Sequence, residues 1–439
     1  MKSRILFLQK IMTDYGMLGV LILLCAYFSW ATLQEQQPQG EDAAKLVTHS
    51  IHAFVHPPAN ILIATKDQEQ DRAFASEVQN ALQDTGFVIL NRLAGTPAEI
   101  RAALETQVNG EEAIAAIVTT PDFQHTIQAI QSRIAALSTA QIIVPQSYKW
   151  PTFLLRENLI NVVNQIVVFA IIAIGMTMVI ITAGIDLSVG SLVALSAVIA
   201  TSFIANNGGA NAGASTMFLG ALFAIVLCGL VGGMSGFVIT RFNIPPFIAT
   251  LGWMLVASGL AFIFASGESI YNLPDSFVWL GRGTALFAIP NAVILMILLY
   301  MAAYFIMSRT VLGRYIYAVG GNPEAARLSG VRVNRILLFV YTISGIVAGI
   351  GGIVLASQLK SGAPTYGVMY ELYVIAAVVV GGTSLAGGEG KIMGTLIGAL
   401  IIGVIQNGMN LTGVESYTQK VVLGGVILGA VLLDKLRNR

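Results

Sequence analysis

The sequence predicts a polytopic α-helical membrane protein with about ten transmembrane helices and a small extracytoplasmic α/β insert. Three observations support this fold class. The composition is 55% hydrophobic and only 11% charged, whereas soluble domains carry about 25% charged residues. Charge-free runs near the roughly 20 residues that a span needs fill most of the chain. A polar stretch, residues 35–150, separates the first of these runs from the rest.

Residues 1–34 are predicted to be an uncleaved transmembrane anchor. Lys2, Arg4 and Lys10 precede a charge-free run from Tyr15 to Gln34. A secretory signal peptide has the same order of charged and apolar residues, but no convincing small-x-small cleavage site follows Trp30. Because positive residues stay on the cytoplasmic side, we expect the N-terminus in the cytoplasm.

Residues 35–150 are predicted to form an α/β domain. Short apolar runs alternate with stretches of helical spacing, and Thr96-Pro97 marks a helix start, since Pro is favoured at the first helical position. The runs are Asn60–Thr65, Phe87–Leu93, Ala113–Thr119 and Gln141–Val144. This alternation favours a small parallel, Rossmann-like sheet.

Three histidines precede the first of these strands. His49, His52 and His56 are spaced i, i+3, i+7, and histidines on one helical face could bind a metal. Pro57-Pro58 follows directly, and no Cys or carboxylate is spaced to complete a site. We therefore expect a solvated linker here and no metal site.

Residues 151–439 are predicted to form the main transmembrane domain. Eight charge-free runs supply nine spans, because the second run is long and is interrupted at Ala205–Ser215. The runs are Asn158–Ile185, Leu187–Thr240, Phe242–Gly267, Gly283–Ser308, Ile336–Leu359, Leu372–Gly388, Ile392–Val414 and Val421–Leu433. The anchor brings the expected total to ten.

The positive charges indicate the topology. With the N-terminus inside, ten spans place Arg241, the loop from Arg309 to Arg335, Lys391 and the basic tail 435–439 in the cytoplasm. Residues 35–150 then lie outside, which in a bacterium is the periplasm. We expect a multi-pass protein of the bacterial inner membrane with both termini cytoplasmic. The net charge of +1, without a long basic run, gives no indication of nucleic-acid binding.

The segment Thr182–Ser191, TAGIDLSVGS, places Asp186 between two apolar runs. A carboxylate at a helix centre would cost roughly 2.5–3.5 kcal/mol, so Asp186 should lie at a break between helices. Asp186 and Ser188 either cap the next helix on the cytoplasmic side or belong, with Ser191, to a pathway or gate.

Uncharged polar residues in the spans offer hydrogen bonds to a neutral hydroxylated solute, or serve only packing between helices. They are Asn161, Asn164, Gln165, Ser191, Ser196, Gln358, Gln406 and Asn407, and Thr383 and Ser384 are further pathway candidates. The spans contain no His, and Glu371 is predicted to sit at a span boundary. Such sparse charge argues against a proton- or sodium-coupled secondary carrier, which stays an alternative.

The stretch Val380–Gly394, VGGTSLAGGEGKIMG, is rich in small residues without being a phosphate-binding loop. A Walker A motif needs Ser or Thr after its Lys, whereas Ile392 follows Lys391. Small residues at this density favour close helix packing. With no other nucleotide motif in the chain, we expect no cofactor here and an energy source in another subunit.

The segment Gly320–Arg335, GGNPEAARLSGVRVNR, lies between two apolar runs. It carries three Arg, and Arg309 and Arg314 lie just upstream, so the pattern is typical of a cytoplasmic loop on which another protein docks. A membrane-anchored sugar sensor is a further alternative, but ten spans exceed what signalling needs.

Four segments resemble the ribose-type permeases of bacterial ABC importers, in that family's order over most of 156–439. They read AIGMTMVIITAGIDLSVGSLVALSA, RFNIPPFIATLG, YAVGGNPEAARLSGVRVNRI and YELYVIAAVVVGGTSLAGGEGKIMGTLIGALIIGVIQNGMNLTGV. The resemblance implies a homodimeric pore in the lipid bilayer for a ribose-like monosaccharide, with no catalytic residues of its own. It also implies a cytoplasmic ABC ATPase that uses ATP and a periplasmic sugar-binding protein.

The same resemblance implies that the loop at Asn322–Gly330 is the segment that docks into the ATPase. Its residues are Asn322, Pro323, Glu324, Ala325, Ala326, Arg327, Leu328, Ser329 and Gly330. The insert is not part of the usual permease pattern. Its stretches NILIATKDQEQDRAFASEVQNALQDTGFVIL and TPAEIRAALETQVNGEEAIAAIVTTP resemble the first lobe of periplasmic sugar-binding proteins. Those proteins clamp a ligand between two lobes and only one fits here, which favours docking or a structural role over sugar binding.

Overall fold

The computed structural model describes residues 2–38, 40–83, 85–108, 113–286 and 289–437, so the last two residues of the basic tail lie outside the described residues. The chain divides into two compact units. A helical unit comprises Met1–Thr32 and Phe153–Arg439, and an α/β unit comprises Leu33–Thr152. Helix α1 (Lys2–Ala31) opens the helical unit.

The α/β unit contains six strands and four α-helices within the described residues. In chain order these are β1 (Leu33–Gln36), α2 (Gly40–Phe54), β2 (Ala59–Thr65), α3 (Glu69–Leu82), β3 (Phe87–Ala94), α4 (Pro97–Val108), β4 (Ala116–Val118), α5 (Gln124–Gln131), β5 (Gln141–Ile143) and β6 (Tyr148–Pro151). Four strands form a parallel sheet in the order β3-β2-β4-β5. Strands β1 and β6 pair antiparallel, with Leu33 opposite Pro151, so the unit begins and ends side by side.

The sheet is covered on both faces, because successive side chains of β2 point to opposite sides. Ile61 and Ile63 belong to one buried cluster, and Leu62 and Ala64 belong to another. Helix α4 begins directly after Thr96, whose backbone N–H donates to Glu99 Oε2 at 2.8 Å, a capping-box contact. Both Thr96 bonds to this carboxylate hold the pKa of Glu99 below its usual range.

The linker expected around the histidines is wrong for His49 and His52, which lie on helix α2. The helix forms because Ala43, Val47 and Ile51 recur every four residues and are fully buried. The His52 ring packs against Phe87, with ring centroids 5.2 Å apart. Within the described ranges, no cluster of His, Cys, Asp or Glu has the arrangement of a metal site.

Seven helices among the described residues are long and apolar enough to cross a membrane. They are α6 (Arg156–Ile181), α7 (Val189–Asn206), α8 (Ala214–Phe242), α9 (Pro246–Phe264), α10 (Asn291–Arg309), α13 (Val333–Leu359) and α15 (Ile392–Leu411). Two short helices, α11 (Val311–Gly321) and α12 (Pro323–Leu328), lie between α10 and α13, and a short β7–β8 pair (Thr284–Leu286, Ile289–Pro290) precedes α10. The polytopic helical fold class is confirmed.

Three further apolar helices are shorter. They are Gly16–Ala31 within α1, α14 (Tyr370–Val380), and Ser416–Leu432 within α16 (Ser416–Arg437). Helix α14 has 11 residues and is therefore about 16 Å long, roughly half of the hydrocarbon thickness. The run Leu372–Gly388 is therefore not one continuous helix of spanning length.

The chain reaches α14 through a non-helical return segment, residues 360–369. This segment runs back along α7, because a Cβ at Gly362 would collide with Thr201 and one at Gly367 with the carbonyl of Gly190. Helix α13 packs against α6, α7 and α8 in the centre of the unit. At its α8 contact, Gly345 lies against the carbonyl of Cys228, the close approach that small residues allow.

Candidate functional site

The predicted docking segment forms α12, a helix with a cap at both ends. Asn322 is its N-cap residue, and the Asn322 side chain accepts from the Ala325 N–H at 2.9 Å. Pro323 occupies the first helical position, where its missing N–H costs nothing. The sequence NPEAARLSG thus specifies where this helix begins.

The end of α12 is a Schellman motif. Gly330 has a φ of +87°, its N–H donates to Arg327 O, and the Val331 N–H donates to Ala326 O, both at 3.0 Å. Ala326 and Val331 are both buried and supply the apolar contact that accompanies this motif. The two caps fix both ends of α12, which packs between α11 and α13.

The outer face of α12 is almost entirely exposed. The Leu328 side chain is 89% exposed, which is unusual for a large apolar residue. Glu324 and Arg327 form an exposed ion pair at 3.7 Å, a contact that adds little stability. An apolar residue flanked by charges on a capped helix is suited to insertion into a partner surface.

Three backbone segments meet directly behind α12. The Gly388 N–H donates to Ile181 O at 2.8 Å, and Tyr317 Oη donates to Gly390 O at 2.8 Å. A Cβ at Gly320 would collide with the Ile181 carbonyl, so only glycine fits there. The end of α6, the end of α11 and the glycine-rich loop 381–391 therefore form one tightly packed junction.

Asp186 lies in the break between α6 and α7 and is fully buried. Its Oδ1 accepts from Ser188 N at 3.0 Å and from Ser188 Oγ at 2.6 Å, and its Oδ2 accepts from Ser344 Oγ at 2.7 Å. Ser188 is the N-cap residue of α7 by position, but its side chain makes no capping bond. The hydrogen bond from Ser344 therefore connects the break between α6 and α7 to α13.

Asp186 lies beside the interior of α13 and not at either of its ends. Ser344 lies 11 residues after Val333 and 15 residues before Leu359, the two ends of α13. At 1.5 Å per residue, Asp186 is about 16 Å from one end of α13 and about 22 Å from the other. Helix α7 thus begins near the middle of α13.

Several polar pathway candidates join helices to one another. Asn158 and Asn407 bond reciprocally at 2.9–3.0 Å between α6 and α15, and Gln358 Nε2 donates to Asn164 Oδ1 at 3.2 Å. Ser196 donates to the Gly349 carbonyl. These contacts are the interhelical packing that the sequence left as one alternative.

The remaining candidates are spread over the unit. Ser191 Oγ donates to Ser188 O at 2.8 Å, whereas Gln165 is exposed and Gln406 is partly exposed. In the loop 381–391, Ser384 Oγ accepts from Ala386 N, and Thr383 Oγ1 is buried without a hydrogen-bond partner among the described residues. The structure does not gather these side chains into one site.

Two further residues lie near the start of α7: Tyr341, which was not among the predicted site residues, and Glu371, which was predicted at a span boundary. The Tyr341 hydroxyl is buried without a hydrogen-bond partner among the described residues and lies against Gly184. The Glu371 carboxylate lies against Gly190 in the first turn of α7, far from the span boundary that run lengths gave it. No local signal marks either contact, because both arise from packing between distant segments.

The chain matches known transport proteins over its helical unit. The family model of the branched-chain amino acid transport system permease component matches residues 158–431, which begin after the α/β unit. The ribose import permease protein RbsC of Escherichia coli (strain K12) is 44% identical over 308 residues, covering 69% of this chain and 92% of that protein.

Two other relatives extend the comparison. RbsC of Bacillus subtilis (strain 168) is 42% identical over 66% of this chain and 88% of its own length. The D-allose transport system permease protein AlsC of Escherichia coli (strain K12) is 36% identical over 65% and 85%. No solved structure gives a significant match. The family match covers more than half of the chain, so this chain belongs to the family of branched-chain amino acid transport system permease components.

Proposed function

We propose that this chain is the permease subunit of an ABC importer that moves a ribose-like monosaccharide across the bacterial inner membrane. The observation that carries the proposal is the 44% identity to a ribose import permease over 92% of that protein's length. The chain has no catalytic residues for this task, and a separate cytoplasmic ABC ATPase hydrolyses the ATP. A periplasmic binding protein delivers the sugar, and a second copy of the chain completes the pore.

The proposed arrangement in the membrane uses ten crossings. The seven long helices supply seven, and the three shorter apolar helices supply the others, with α14 and the return segment together completing one crossing. Both termini are then cytoplasmic, α12 faces the cytoplasm and the α/β unit faces the periplasm. The Arg residues around α12 support this orientation.

The ATPase is proposed to dock on α12. Exposed Leu328 and the Glu324–Arg327 pair form the contact, and the two caps keep the helix rigid enough to transmit force. A movement of α12 would reach the end of α6 at Ile181 through the contacts of Gly320 and Gly388 with this residue. Rigid-body motion of α12 would thereby reach the break that contains Asp186.

Uptake of a panel of labelled sugars, including ribose and allose, tests the proposed function in cells that co-express the partner subunits. We expect uptake that requires the ATPase, and Leu328→Asp should lower it at least tenfold by burying a charge at the docking contact. The exposed Leu328 side chain makes a folding defect unexpected. Tyr271→Asp, at a 71% exposed side chain outside the helices, is the control. ATP-independent uptake, or normal uptake by Leu328→Asp, would contradict the proposal.

The α/β unit is proposed to contact the binding protein in the periplasm. Because Leu33 and Pro151 pair directly, residues 34–150 can be replaced by a two-residue Asn-Gly turn without separating the flanking chain ends. We expect the shortened protein to be produced in normal amounts and to take up sugar several-fold more slowly at limiting binding protein. Unchanged uptake at every binding-protein concentration would exclude the docking role.

A further inference from the structure

Two interrupted elements meet in the interior of the helical unit. Helix α7 begins beside the middle of α13, and the short helix α14 begins where the return segment 360–369 ends. The two helix starts are adjacent, since Gly190 in α7 lies against both Gly367 and Glu371. Non-helical backbone at this depth is tolerated only where protein buries it or where it lines a water-filled cavity.

Glu371 is the charged side chain at this meeting point. Its Oε2 atom lies over Gly190 in the first turn of α7, where a Cβ would collide with it. The Glu371 side chain is partly exposed, and none of the ion pairs of the described residues includes it. A carboxylate facing lipid at this depth would be costly, so its exposed part must face an aqueous path or a second copy of the chain.

The surroundings of Glu371 continue toward the exposed surface. Thr365 in the return segment is exposed, and Val368 and Met369 are 67% and 42% exposed directly before α14. Mostly apolar side chains with a few well-placed polar ones are typical of the lining of a solute site. Thr365, Val368 and Met369 therefore extend the exposed surface around Glu371 with the composition of such a lining.

The donor set favours a neutral hydroxylated solute over a cation. A hard cation takes six to eight oxygen ligands, or several waters with one or two carboxylates. The nearby Asp186 oxygens are already occupied by three hydrogen bonds from Ser188 and Ser344. Glu371 offers one carboxylate that joins none of the ion pairs of the described residues, and a carboxylate accepts charge-assisted hydrogen bonds from hydroxyl groups.

We propose that the Glu371 carboxylate, held over Gly190 where α7 and α14 begin, lines the translocation pathway and accepts hydrogen bonds from hydroxyl groups of the passing sugar. This inference rests on the proposed importer function and adds a specificity-determining residue to it. Ser191 and Thr365 lie on the same wall of the pathway. Asp186, in contrast, holds the wall in place and does not touch the sugar.

The test compares uptake of ribose with that of its 2-deoxy, 3-deoxy and 5-deoxy analogues by the complete transporter, using wild type and Glu371→Gln. The variant keeps the shape of the side chain and removes its charge. We expect about tenfold slower ribose uptake, and a lost preference for ribose over at least one analogue, because a neutral hydrogen bond is weaker. The binding protein is the same in both cases, so its own preference cancels.

Glu268→Gln is the matched control, since Glu268 is an exposed carboxylate after α9, in a segment with no proposed role in transport. Wild-type ribose uptake in Glu371→Gln would overturn the inference. Equal loss for ribose and all three analogues, together with a lower amount of folded protein, would assign Glu371 a structural role and also overturn it. A wild-type complex that transports no sugar would overturn the proposed function, and the inference with it.

Discussion

Asp186 and Glu371 are two carboxylates near the start of α7, Asp186 just before the helix and Glu371 against Gly190 in its first turn, and their surroundings differ. Asp186 is fully buried and accepts three hydrogen bonds from Ser188 and Ser344. Glu371 is partly exposed and rests on Gly190. A buried carboxylate with all its partners fixes the packing of helices, whereas an exposed one at the same depth is available to a solute.

The largest effect that would sharpen this contrast is expected from Asp186→Ala. The substitution leaves Ser188 N, Ser188 Oγ and Ser344 Oγ without their acceptor, and each orphaned buried group costs about 1–3 kcal/mol. We expect most of the folded protein to be lost, as measured by size-exclusion chromatography of detergent extracts. Thr412→Ala, which removes only bonds to its own helix, is the control. A normal yield would show that Asp186 is not a structural anchor.

Gly190→Ala is expected to have a smaller effect than Asp186→Ala, and it displaces the Glu371 carboxylate. The new Cβ would collide with Glu371 Oε2 and with Gly367 O, so the Glu371 side chain must shift. We expect uptake to fall several-fold and thermal stability to fall as well, because the Gly367 carbonyl belongs to the backbone and must also move. Gly252→Ala is the matched control, because no heavy atom lies within 4 Å of a Cβ at that helical position. Normal uptake by Gly190→Ala would contradict the proposal that transport depends on the position of the Glu371 carboxylate.

The sequence predicted those parts of the molecule that depend on local patterns. The polytopic class follows from charge-free runs. The segment Asn322–Gly330 was predicted only as a docking loop, although Asn322-Pro323 and Gly330 are local signals for the start and end of α12. Helix α2 was not predicted, although Ala43, Val47 and Ile51 have helical spacing. Pro57-Pro58, which follows the histidines directly, favoured a linker instead.

The interior could not be predicted, because its contacts join residues that are distant in the chain. Ser344 is 158 residues from Asp186, and no local spacing brings them together. Residues 360–371 lie between two charge-free runs and were therefore expected at the membrane surface, because run lengths carry no information on how a connecting segment folds back. Consequently Glu371 was placed at a boundary, although it lies beside the start of α7.

The most direct measurement determines both the folded yield and the sugar uptake per folded molecule for Asp186→Ala and Glu371→Gln, each against wild type. We expect Asp186→Ala to lower the yield far more than the uptake of the molecules that fold. We expect Glu371→Gln to keep a normal yield and to take up ribose about tenfold more slowly. The same pattern in both variants would contradict the division of roles between the two carboxylates.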